Sequence, residues 1–160
     1  MNDPLATYLH DHLAGADFAI DLLQAMKDRR QDQPLGQFAG QLLIEVTQDR
    51  NTLQHTAEGI GSGTNALKEF TAWVGEKASR VKLGAGARGE FGTFEALEFL
   101  ALGVQGKLSL WRALRVAAAS DARLGGLDFE QLIARAEAQY GQVEEQRLAS
   151  AATALRPVKH

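Results

Sequence analysis

The feature that most narrows what this chain can fold into is where its prolines stand. There are three in 160 residues, at positions 4, 34 and 157, so 122 consecutive residues between the last two contain none. Proline inside a helix removes a backbone donor and clashes with the preceding turn, at a cost of about 3 kcal/mol. Confinement to segment edges is therefore what long helices require. Alanine (26) and leucine (22), two of the best helix formers, fill much of the rest. The fold class read from this is all-α, as a single domain over 1–160.

Five helices are predicted. The first covers 4–29, with Asp3 as cap and Pro4 in the first turn. The second covers 34–60, after Gln33 and before the glycines at 59 and 61. A shorter one, 65–82, follows the turn Gly61-Ser62-Gly63-Thr64, and the glycine-dense stretch Gly84 to Gly89 reads as a loop. Two more cover 94–119 and 128–155, the last opened by Asp128 with Gln131 three residues on in a capping-box pattern. Four helices of about 26 residues, each about 39 Å long, make a four-helix bundle with the shorter helix as an accessory.

Charge and composition exclude several function classes. Seventeen basic against 20 acidic residues leave a net charge of −3, which speaks against general affinity for nucleic acid or for anionic membrane surfaces. With no cysteine there is no disulfide, Cys-ligated zinc, iron–sulfur cluster or thiol nucleophile. The first residues carry His10, Asp11, His12 and Asp17 rather than an apolar leader, and the longest uncharged apolar run is only Phe99 to Val104. The expectation is a soluble, cytoplasmic protein.

Helical periodicity then places ionisable groups on faces that ought to be apolar. His12 falls at the centre of the stripe Leu5, Tyr8, Leu9, Ala16, Ala19, Ile20 and Leu23. Asp49 lies within the stripe of the second helix, with Glu45 on its edge, and Lys107 falls among Leu100, Val104, Trp111 and Leu114. On the last helix Arg147 is central, Glu144 beside it, and Tyr140 is a stripe residue. Counting from the short turns between antiparallel helices puts His12, Asp49, Lys107 and Tyr140 at one level of the bundle. Glu45, Glu144 and Arg147 lie one to two turns away. Unpaired buried charges lose several kcal/mol of hydration. The simplest reading is therefore a neutralising network: Asp49 with Lys107, Glu45 or Glu144 with Arg147, and His12 and Tyr140 as hydrogen-bonding partners. A ligand pocket built from the same groups, or a solvated edge, are the other readings.

The arrangement, two antiparallel helix pairs with a crossing connection between the second and third long helices, resembles the ferritin-like superfamily, bacterial members included. The resemblance covers nearly the whole chain and rests on helix lengths and topology. It implies a di-metal centre made of a Glu from each of two helices and a Glu-x-x-His pair from each of the others. Here His12 stands where a Glu is expected, Glu45 is followed three residues on by Gln48, Glu98 by Ala101, and Glu144 by Arg147. A surviving iron or manganese site would use His12, Glu45, Glu98 and Glu144. Lys107 and Arg147 would repel a metal, so the degenerate pattern reads as one in which side-chain cations replaced it.

The functional expectation is a bundle without cofactor or catalytic residues, acting through protein association, with a homodimer as one form of it. The alternatives are a divergent di-metal oxidase or stress protein, and small-molecule binding in the core by His12, Asp49, Lys107 and Tyr140. Gly84 to Gly89 lacks the lysine and Ser/Thr of a phosphate loop, and His10 and His12 point to different helix faces.

Overall fold

A computed structural model describes residues 3–61 and 89–158. Within them the chain forms four long helices and one short 3-10 turn, with no strand among the described residues. The first helix, α1 (Pro4–Arg29), opens as its sequence dictates: the Asp3 carboxylate accepts from the Leu5 backbone N–H at 2.9 Å, and Pro4 occupies the first turn, where its missing donor costs nothing. Lys27 and Arg29 stand at its negative C-terminal end. The second, α2 (Pro34–Ile60), again starts on proline and stops at Gly61, whose φ of +113° favours glycine.

The third described helix, α3, spans Gly89–Ala117, and the fourth, α4, spans Phe129–Ala154. Between them Ala122–Leu124 makes the 3-10 turn, capped by Asp121. Asp128 caps α4 by accepting from the Gln131 backbone N–H at 3.1 Å. The expected start at residue 94 is corrected to Gly89, five residues earlier. Gly92 and Phe94 are buried, and Thr93 receives a 3.1 Å hydrogen bond from Arg30, so packing against the α1–α2 turn carries the helix back to the edge of the glycine-dense stretch. The helix expected at 65–82 lies outside the described residues.

Helices α1 and α2 form one antiparallel hairpin, α3 and α4 the other, and the hairpins dock with α1 against α3 and α2 against α4. Direction follows from the contacts at the two ends. Arg30, after α1, reaches Thr93 in the first turns of α3, while Asp3, before α1, forms a 2.6 Å ion pair with Arg123, beyond the end of α3. Thus α3 runs antiparallel to α1 and parallel to α2. Gly61 and Gly89 stand at opposite ends of the bundle.

The core is divided in two. Toward the α1–α2 turn it contains Leu22, Leu23, Met26, Leu42, Leu97, Leu100 and Val143. Toward the α3–α4 turn it contains Leu9, Leu53, Leu108, Trp111, Leu114, Leu124 and Ile133. Each fully buried leucine contributes about 2 kcal/mol of transfer free energy. On three helices the residue between the compartments is polar: Asp49 on α2, Lys107 on α3 and Gln139 on α4. Among the described residues no helix is long and apolar enough to cross a membrane.

Candidate functional site

The polar layer is built by periodicity. On α2, Asp49 continues the buried series Leu42, Val46, Leu53 and Ala57, and on α4, Gln139 falls between the buried Ala136 and Val143. Asp49 is 4% exposed and Gln139 is fully buried. The Lys107 ammonium donates to Asp49 Oδ2 at 2.6 Å and to Gln139 Oε1. The Gln139 amide in turn donates to Asp49 Oδ2 at 3.1 Å and to Glu45 Oε2 at 3.0 Å. Arg135 completes the layer: its Nε stands 3.4 Å from Asp49 Oδ1, and it donates to the Glu45 carbonyl at 2.9 Å and to Gln48 Oε1 at 2.6 Å.

Two carboxylates and two cations thus face each other across one glutamine, and the layer is neutral. Burial draws the Lys107 ammonium below the ordinary lysine range, with the Arg135 charge acting the same way, while the Asp49 charge and hydrogen bond oppose them.

Beside this layer, between α1 and α3, lies a cavity of about 510 Å³. Small residues make it: Gly15 and Ala16 on α1 face Gly103 and Gly106 on α3, and a Cβ placed on any of these three glycines would meet nothing within 4 Å. The walls are mostly apolar, including Phe18, Leu42, Val46, Phe99 and Leu110, and Asp49 and Lys107 belong to its lining. His12 lines it too, its ring edge-on to Tyr8 with centroids 4.7 Å apart. Burial pulls the His12 imidazole below its ordinary value, against the weaker upward pull of Asp11. A cavity of this size, mostly apolar with a few convergent polar groups, has the character of a small-molecule site.

The remaining expected residues sit elsewhere. Arg147 donates to both Glu144 carboxylate oxygens, at 2.7 and 2.6 Å, and to Glu98 at 3.3 Å, with its guanidinium 5.7 Å from the centre of the Phe94 ring. That hydrogen-bonded cation holds the Glu144 carboxyl below the usual range. Glu45 does not take part there and faces Gln139 instead. Tyr140, expected beside Lys107, packs half-buried against the first apolar compartment, and its neighbour Gln139 meets Lys107. The physical reason is angular: positions 139 and 140 both adjoin the stripe through Ala136 and Val143, and the buried slot toward α2 and α3 falls to 139.

Gln139 and Arg135 are the site residues that sequence reasoning missed. Their signal was the four-residue spacing from each other and the placement of Gln139 three after Ala136 and four before Val143.

The set His12, Glu45, Glu98 and Glu144 does not fit a metal centre. His12 belongs to the cavity, Glu45 to the Gln139 amide, and Glu98 and Glu144 to Arg147. Among the described residues no three His, Asp or Glu side chains gather closely enough to hold an ion. No family model, curated protein or solved structure matches this chain.

Proposed function

We propose that this protein binds an apolar small molecule in the cavity between α1 and α3, on a bundle of ferritin-like topology in which side-chain cations stand in place of metal. The observation that carries the reading is the cavity itself: about 510 Å³, walled by apolar side chains and kept open by glycines whose Cβ positions are vacant. Glycine within a helix costs about 1 kcal/mol relative to alanine. Three of them facing one space are therefore expensive unless the space is used. The parallel run of α2 and α3 supports the ferritin-like part of the reading. The ion pairs of Lys107 with Asp49 and of Arg147 with Glu144 support the exchange of metal for fixed cations.

The test is saturable binding of the fluorescent probe N-phenyl-1-naphthylamine, followed by its emission and by the melting temperature of the complex. Gly15→Leu and Gly103→Leu each put a side chain into vacant space without disturbing the helix, so both variants should fold with parental helicity and bind the probe at least about tenfold more weakly. At a probe concentration of about 100 times Kd, the parent should gain about 2.7 kcal/mol of stability, and the filled variants should gain far less. Undiminished binding by the filled variants, or no saturable binding by the parent, would defeat the proposal.

A further inference from the structure

We infer that a second copy of this chain docks on the outer face of α3, the two helices crossing antiparallel near Gly106. Leu102 and Val116 are 64% and 75% exposed. They lie on one face of α3, about 21 Å apart along the helix. Ser109 and Ala113, exposed on the same face between them, are small and uncharged. Ile44 and Leu148, by contrast, stand singly on α2 and α4, as apolar residues often do on a surface. An uncharged strip along a helix, with an exposed apolar side chain at either end, has the character of a protein contact.

Charge says what covers it. Glu90, Glu95 and Glu98 occupy the first turns of α3, while Arg112 and Arg115 occupy its last turns and Arg123 follows. No basic residue lies from Gly89 to Gly106, and no acidic one from Phe99 to Ser120. A second α3 laid antiparallel therefore brings acid toward base at both ends, whereas a parallel one brings like charges together. A two-fold axis makes each favourable contact twice.

Shape then sets the register. Gly106, Ser109, Leu110 and Ala113, spaced i, i+3, i+4 and i+7, outline a shallow hole with the buried Leu110 as its floor. Leu102 of the second copy is the knob that matches it. Seating Leu102 there puts the axis between Gln105 and Gly106, where the missing Cβ lets the helices approach closely. Glu98 of each copy then falls within about half a turn of Arg112 of the other, and both side chains are about half exposed. Pairs this exposed add little affinity, so they select the orientation while the apolar strip supplies the binding. One helix per copy is a small contact, which makes the dimer a weak and concentration-dependent one.

The test is sedimentation velocity of the full chain from about 5 to about 500 μM, joined to thiol cross-linking. The parent should pass from monomer to dimer across that range. Ser109→Glu, at an exposed position in the hole, should keep the parental melting temperature and weaken dimerisation at least about tenfold. The chain has no cysteine, so a single substitution supplies its only thiol. Gln105→Cys, beside the axis, should oxidise to a disulfide-linked dimer, and Val116→Cys, whose two copies would stand about 30 Å apart, should not. Leu102 and Gly106 also border the cavity, but Gln105, Ser109 and Val116 do not, so all three variants should bind the naphthylamine probe as the parent does. A parent that stays monomeric at the highest concentration, a Ser109→Glu variant that dimerises undiminished, or equal cross-linking of the two cysteine variants would overturn the docking face and leave the cavity reading untouched.

Discussion

Burial holds the His12 imidazole below its ordinary value of 6.5, and the consequence for stability has a definite sign. As pH falls through 6.5, the unfolded chain takes up a proton before the folded one does. Stability is therefore full above that value and declines as the solution is acidified toward the folded pKa. The other charged or titratable side chains around the same cavity, Tyr8, Asp11, Asp49, Arg50 and Lys107, remain in a His12→Gln variant, so a comparison with the parent isolates the histidine. The loss of melting temperature between pH 7.5 and 5.5 should be smaller in His12→Gln than in the parent, and equal losses would contradict burial of the ring. Single residues were unevenly legible from sequence. Asp49 and Lys107 stood out because a charge on an apolar stripe is conspicuous. Gln139, the centre of the network, did not, because a neutral amide raises no electrostatic alarm and Tyr140 beside it looked like the better partner.

At the level of elements, the tightest constraint lies at the start of α2. A Cβ added to Gly36 would fall 1.9 Å from the Arg30 carbonyl oxygen, because the end of α1 folds directly over the first turn of its successor. Backbone cannot retreat as a flexible side chain would, so Gly36→Ala should cost about 2 kcal/mol in denaturant unfolding. Gly141→Ala, on the exposed side of α4 with nothing within 4 Å, is the control and should gain about 0.5–1 kcal/mol. A neutral Gly36→Ala would contradict the close approach of the two helices. Helix ends marked by caps were legible to within a residue or so: Asp3 with Pro4, Pro34, and Asp128 with Gln131. The start of α3 was not, because no capping residue announces it, and tertiary contacts of Gly92, Thr93 and Phe94 decide it.

For the whole molecule, the polar layer is where the two hairpins recognise each other, since its bonds join α2 to α3 and α2 to α4. Breaking it on one side leaves a buried carboxylate short of its main cation, so Lys107→Met should destabilise the protein by about 3 kcal/mol. Pairing that change with Asp49→Asn removes the stranded charge, and the double variant should recover most of the loss. Additive losses in a double-mutant cycle by urea unfolding would show that the two groups do not depend on each other. Depth counting from the short turns found this layer because antiparallel hairpins fix register with little freedom. It did not find the cavity, since an empty space arises from which small residues face each other across two hairpins, and periodicity along one helix carries no such information.

The division of the core also bears on how the molecule moves. Both apolar compartments draw residues from α1, α2, α3 and α4, so the boundary between them runs across the helices rather than between the hairpins. Hydrogen exchange should therefore show the amide protons near the two ends of the bundle opening separately, with the polar layer as the boundary. A disturbance that loosens the α3–α4 turn can exchange its protons freely while the far end keeps its protection. The cavity touches both compartments, so a molecule seated in it should slow exchange at both ends of the bundle.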